Sequence, residues 1–255
     1  MLTDLQYRLL LRIAPRLRNE LSGSAYQNKS KIRVLLGDSL VARLSGAVVI
    51  DFGCGDGGDT LEIARSGAKK VIGIDIRESA LQVSREAALR AGLDQFCEFC
   101  QTTKEKADAI VSLDAFEHLS DPAGALRAMH DLLKPGGFVA ASFGPTWYHP
   151  YGGHLFSVFP WAHLIFSEDA LIRWRSHFRS DGATRFEEVE GGLNQMTIAR
   201  FERLVKQSDF DLEHLEAVPI RRLARFHNRL SREFTSAIVR CTLRARYGSG
   251  LRSRA

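Results

Sequence analysis

A chain of 255 residues, 45% hydrophobic and 25% charged, can bury a substantial core unaided, which excludes general disorder and a small scaffold held by disulfides. Its formal charge of +5 is unevenly placed, because Arg221, Arg222, Arg225, Arg229, Arg232, Arg240, Arg244 and Arg246 crowd together late in the chain; such a cluster suits RNA, phosphorylated lipid or an acidic substrate, and ordinarily a solvated face. Of the four cysteines only Cys97 and Cys100 lie close, and without a second pair or spaced histidines no metal site is expected.

Near the start, Asp4 and Arg8 interrupt what a signal peptide would keep apolar, so a cytoplasmic location is expected. Apolar positions then recur at helical spacing, at Leu5, Leu9, Leu10 and Ile13 and again at Ile32, Leu35, Leu36 and Leu40, with a break at Gly23 and Ser24. This predicts two or three cap helices over residues 1–46. A strand–turn–helix rhythm follows: strand 47–51, helix 60–66, strand 70–75, helix 78–91 closed by Gly92, a short alternating strand at Cys97 and Cys100, and strand 109–113. Ser120, Asp121 and Pro122 supply a cap and a first-turn proline for a helix to Leu133, which Pro135, Gly136 and Gly137 end before strand 138–143. Such βαβ alternation predicts an α/β fold with a mostly parallel sheet and helices on both faces.

From Gly144 to Gly192 the rhythm fails, and an insertion with its own helices is expected. Its apolar run, 154–166, is broken by Pro160 and His163 and falls short of the roughly 20 residues of a membrane span. A helix at 197–208 and strands at 212–218 and 237–244 complete the pattern. The expected organisation is cap helices 1–46, a nucleoside-binding core 47–143, an acceptor lid 144–195, the rest of the core 196–247 and a basic tail 248–255.

The most informative segment runs from Val48 to Thr60, a buried strand entering the glycine cluster Gly53, Gly55, Gly57 and Gly58 and then a helix. Glycines there permit a tight turn and let a ligand lie against bare backbone. Gly53, Gly55 and Gly58 also satisfy the GxGxxG pattern of dinucleotide-binding proteins, so an NAD-dependent oxidoreductase stays open. Asp51, Asp56 and Asp59 favour a cationic ligand over a pyrophosphate, although Asp56 and Asp59 are also ordinary helix caps. Asp75 ends the second strand about 20 residues on, where an acid can accept from both ribose hydroxyls.

With VIDFGCGDG, the acid in VIGIDI, the stretch ADAIVSLDAFEHLSDP and LLKPGGFVAASF, the chain resembles the class I S-adenosylmethionine-dependent methyltransferases, more narrowly the type 11 methyltransferase domain, over about residues 45–143. The resemblance implies a Rossmann-like sheet of seven strands with the last antiparallel, and S-adenosylmethionine as cofactor. It implies that Asp51, Gly53, Cys54, Gly55 and Gly57 surround the methionine portion, that Asp75 holds the ribose with Ile76 beside it, and that Asp114 and Ala115 line the methyl-donor side. Where the family often places an acid near the adenine amine this chain has Gln101, whose carbonyl is the substitute.

Methyl transfer is an in-line displacement, so the protein's task is to align donor and nucleophile, with a base needed only for acceptors such as hydroxyls. Candidate bases are His154 first and His149 second, in the loop after the fifth strand, and His118 beside Glu117 after the fourth; each could instead bond its own loop. Trp147, Tyr148, Tyr151, Phe156, Phe159 and Trp161 could wall the acceptor or form the insertion's core. The leading acceptor is an oxygen or nitrogen of a small-molecule or glycan-linked compound. A lipid-linked acceptor met at a membrane surface through the 154–166 run and the arginines is the alternative. Nucleic acid is not an expected partner, since basic and aromatic residues do not interleave; an RNA-binding or noncatalytic nucleoside-binding module is the remaining reading.

Overall fold

The structure, a computed structural model, describes residues 2–16, 29–189 and 192–247; the break at Gly23 and Ser24 and the basic tail 248–255 lie outside them. Helices α1 (Leu2–Ile13), α2 (Lys31–Leu36) and α3 (Asp38–Ala42) precede the first strand. Helix α2 starts on Ser30, whose hydroxyl accepts from the Arg33 N–H at 3.1 Å, an N-cap that satisfies one of the orphan donors of a helix start.

The core then alternates as β1 (Val48–Phe52), α4 (Gly58–Arg65), β2 (Lys70–Ile74), α5 (Glu78–Arg90), β3 (Cys97–Cys100), β4 (Ala107–Leu113), α6 (Pro122–Leu132) and β5 (Leu133–Phe143). After the insertion come α9 (Ile198–Gln207), β6 (Phe210–Pro219), α10 (Arg232–Thr235) and β7 (Ser236–Ala245), the insertion itself holding α7 (Ala162–Ile165) and α8 (Glu168–Ser176). The seven strands lie in the order β3-β2-β1-β4-β5-β7-β6. All pairings are parallel except those that β7 makes with β5 and β6.

Because side chains alternate across a strand, neighbours in one strand serve opposite faces. Val49, Val71, Ala109 and Ala140 pack under α2, α3 and α4, whereas Ile50, Ile72, Ile110 and Val139 pack under α6 and α9. Strand order reverses where β1 lies between β2 and β4, and in open α/β sheets the crevice beyond the carboxyl ends at such a point is where ligands bind.

Boundaries moved where turn chemistry is embedded in a strand. The helix expected to reach Leu133 stops at Leu132, and β5 starts at Leu133 rather than 138. Leu133 pairs with Ala107 and Phe138 with Ala109, so the residues between them form a bulge. Pro135 cannot donate to the ladder and two glycines relax it, which is why the strand is broken there yet not ended.

The insertion has its own core, in which Phe156, Trp174 and Phe186 pack with Leu10 of α1. The Trp174 indole donates to the Ala14 carbonyl at 2.8 Å. Arg175, 3% exposed, is held by Asp181 through two bonds of 2.7 and 2.6 Å. The apolar 154–166 run serves mainly this core: Phe156, Ala162, His163 and Phe166 are buried, and only Leu164 and Ile165 among its large apolar side chains stand exposed. No helix of the described residues is long and apolar enough to cross a membrane.

Candidate cofactor and acceptor site

At the end of β1, Asp51 is 2% exposed and accepts from the Thr60 hydroxyl at 2.6 Å. Burial, with Asp59 nearby, raises its pKa to about 7 against the opposing Thr60 hydroxyl and Lys31 ammonium. Next, Gly53, Gly55 and Gly57 take φ values of 86°, 55° and 80°, a left-handed conformation that side chains resist. The turn is also crowded, since a Cβ on Gly57 would lie 2.8 Å from that of Ser84, and one on Gly53 3.2 Å from that of Ala115. Between them Cys54 contributes backbone only, because its thiol packs among Leu61, Leu81 and Phe99.

Asp75, 8% exposed, follows β2 and faces this turn. Its carboxylate accepts from the Gly55 N–H at 3.0 Å, the Arg77 N–H at 2.9 Å and the Arg77 guanidinium at 3.1 Å. Burial works against its charge, but the bonds from Arg77 and Gly55 prevail and hold it below the ordinary carboxylate range. Ile76 presents a side chain 88% exposed beside it. The Gln101 amide donates to the Ile76 carbonyl at 3.2 Å.

Lys31 from α2 enters the same region, with its ammonium 2.8 Å from Asp59 and 3.1 Å from Asp114. Desolvation disfavours that charge, yet the two carboxylates outweigh it and the pKa rises. Asp114 follows β4 with φ 51°, uncommon for a residue with a side chain and concentrated at functional turns. Its Oδ1 is buried without a hydrogen-bond partner. The turn is therefore less negative than its acids suggest: Asp59 shares a cation, and burial favours the protonated form of Asp51. Sequence reasoning missed Lys31, although three acids converging on one turn called for a cation.

In the turn after β4, Glu117 is 2% exposed, with Oε1 accepting from the Gly144 N–H at 2.9 Å and Oε2 unpartnered. Burial and the Asp114 charge raise its pKa to about 8. His118 Nδ1 lies 2.9 Å from the Gly192 carbonyl; a carbonyl only accepts, so Nδ1 carries the proton and a neutral ring keeps its lone pair on Nε2. The His154 ring stands edge-on to that of His118 at 5.1 Å, and burial, with His118 beside it, lowers its pKa to about 3. His149 bonds its own loop, its Nδ1 accepting from the Tyr151 N–H at 2.9 Å, and burial with His163 lowers it to about 4.

Asn194, not singled out from sequence, donates its amide to the Phe116 and Leu119 carbonyls at 2.6 and 2.7 Å, fixing the post-β4 turn that bears Glu117 and His118. Of the aromatic residues, Phe156, Trp147 and Phe159 join the insertion core, while Tyr148 packs on Phe234 with ring centres 5.1 Å apart. A cavity of about 290 Å³ within the insertion is lined by Glu168, Arg185, Glu187, Asn194 and Gln195 among others; neither the glycine turn nor any of the three candidate bases borders it.

Comparison with known proteins agrees with this geometry. A family profile described as a methyltransferase domain matches residues 8–215. Ubiquinone biosynthesis O-methyltransferase of Ruegeria pomeroyi is 38% identical over 105 residues, covering 38% of this chain and 41% of that protein. The enzyme of the same name in Pseudomonas aeruginosa is 38% identical over 109 residues, covering 40% and 46%. The chain thus spans less than half the length of the curated relatives it matches. Among solved structures, the [4+2]-cyclase SpnF superposes with a TM-score of 0.58 at 18% identity, over 96% of this chain and 94% of that one. An S-adenosylmethionine-dependent methyltransferase from Mesorhizobium loti gives 0.51 at 20% identity, over 79% and 92%.

Proposed function

Because the chain belongs to the class I S-adenosylmethionine-dependent methyltransferases, we propose that it moves a methyl group from that cofactor to a hydroxyl oxygen of a small-molecule acceptor. The observation that carries the reading is the convergence, at the carboxyl ends of β1, β2 and β4, of Asp51, Asp75 and Asp114 around three left-handed glycines, with the oriented imidazole of His118 nearby. The O-methyltransferase names of the sequence relatives favour oxygen over nitrogen. Fold likeness adds nothing about the acceptor, since one structural neighbour is a cyclase.

The residues fit the cofactor. The bare backbone at Gly55, where a Cβ would meet only the Arg77 guanidinium at 3.8 Å, leaves room for a ligand beside it, and the unpartnered Asp114 Oδ1 is an acceptor awaiting a donor. Asp51 and Asp114 would hold the α-ammonium, Lys31 the carboxylate, and Asp75 the ribose hydroxyls once Arg77, whose side chain is 60% exposed, gives up its bonds. Ile76 would lie against the adenine, with the Gln101 carbonyl on its amine; Cys54, Gly57 and Ala115 would shape the turn. S-adenosylmethionine supplies a methyl carbon made electrophilic by positive sulfur.

His118 Nε2 accepts the hydroxyl proton of the acceptor as the oxygen attacks. The Gly192 carbonyl keeps the ring in the competent tautomer. His154 remains uncharged at neutral pH, so a proton arriving on His118 meets no second cation.

Calorimetric titration of S-adenosylmethionine, S-adenosylhomocysteine and NAD into the native chain and Asp75→Ala tests the reading. Binding of both sulfur nucleosides but not NAD, weakened by the substitution, supports it. Binding of NAD alone would sink it.

A further inference from the structure

The late arginine cluster divides in two. Arg232, Arg240, Arg244 and Arg246 are paired with Glu202, Glu216, Glu213 and Asp211 at 2.6, 3.4, 2.7 and 3.3 Å. Arg221, Arg222, Arg225 and Arg229, all exposed in the β6–β7 connection, face no carboxylate among the described residues; Arg225 lies over the Phe226 ring at 4.6 Å. The same connection carries Phe226, 53% exposed, and Leu230, 93% exposed.

This connection is built. The Ile220 N–H donates to the Thr235 carbonyl at 2.8 Å and closes its base. A 3₁₀ turn, Arg221–Phe226, leads to Asn228, whose side-chain oxygen accepts from the Leu230 and Ser231 N–H groups at 2.9 and 3.2 Å. An ordered loop that holds apolar side chains out in water has already met most of the entropic cost of docking. Since β6 runs antiparallel to β7 and β7 antiparallel to β5, the connection emerges at the carboxyl end of β5. There the ring contact of Phe234 with Tyr148 joins it to the acceptor-side loop.

We propose that the β6–β7 connection docks on an anionic lipid surface, with Phe226 and Leu230 entering the boundary between headgroups and acyl chains and Arg221, Arg222, Arg225 and Arg229 meeting lipid phosphates. Apolar tips flanked by cations are what such a surface binds, whereas a solvated arginine face gives no reason to expose a leucine. Each arginine near an anionic bilayer strengthens binding about fivefold. The inference does not rest on methyl transfer.

Co-sedimentation of the full chain with vesicles of phosphatidylcholine alone, or mixed with phosphatidylglycerol, decides it. Binding is expected only to the mixed vesicles, weakened at least about tenfold by Arg222→Glu with Arg229→Glu and several-fold by Leu230→Ser. Melting temperature and S-adenosylmethionine binding, measured on the same samples, should stay native, since these side chains are exposed. No vesicle binding, equal binding to both compositions, or binding indifferent to the variants would overturn the proposal. Salt-sensitive binding to a single-stranded RNA without vesicle binding would do so in favour of nucleic acid.

Discussion

At the scale of single residues, Lys31 lets two carboxylates, Asp59 and Asp114, face one another across the glycine turn. Replacing it with methionine keeps the bulk and removes the cation, leaving both acids partly buried and mutually repelling. Lys31→Met is expected to weaken S-adenosylmethionine binding by tenfold or more in calorimetry, about 1.4 kcal/mol, and to lower the melting temperature. For the proton, His118→Gln should reduce kcat with a phenolic acceptor by about 10²–10⁴-fold while cofactor affinity stays native; an unchanged rate would remove His118 from the chemistry. The acids at strand ends were legible from sequence because each closes a buried apolar run. Lys31 and Asn194 were not, because their partners lie far along the chain and no local period links them.

Among elements, the βα units were read correctly because buried strands and capped helices leave local signatures, as Asp121 does by accepting from the Gly124 N–H at 2.8 Å to start α6. The insertion was legible as a segment with helices of its own, but not where those helices lie. Its helices α7 and α8 are too short for a hydrophobic period, and α8 packs on α1, which no local pattern reveals. The glycine turn is fixed between α4 and α5: Gly57→Ala would strain a φ of 80° and press a methyl group onto Ser84. A loss of about 2–3 kcal/mol in denaturant unfolding is expected, with part of it recovered by Ser84→Gly; a silent Gly57→Ala would show that the turn relaxes freely. Within the insertion, Asp181→Ala leaves the buried Arg175 guanidinium without its carboxylate, and limited proteolysis should cut there several-fold faster than in the native chain.

For the molecule as a whole, two buried acids and two partly buried histidines set how stability changes with pH. Asp51 and Glu117 have folded pKa values of about 7 and about 8, against ordinary values of 3.8 and 4.5. The folded state binds their protons more tightly, so this contribution is complete below those ordinary values and is lost as pH rises through the folded ones. Asp75 and Asp108, held low by their partners, and His149 and His154, lowered by burial to about 4 and about 3, act oppositely and lose their contribution on acidification. The melting temperature should therefore peak in mildly acid solution and fall towards pH 8.5. Glu117→Gln should flatten the alkaline decline by a few degrees, on the order of 5 °C; an identical decline in the variant would remove Glu117 as its cause.

The bond from Trp174 to Ala14 joins residues 160 positions apart. During synthesis at about 5–20 residues per second, α1 therefore waits roughly 8–32 s for the segment that covers Tyr7, Leu10 and Leu11. Helix α1 is made well before the segment that covers it, and for that interval its sticky inner side is a matter for chaperones rather than for the fold.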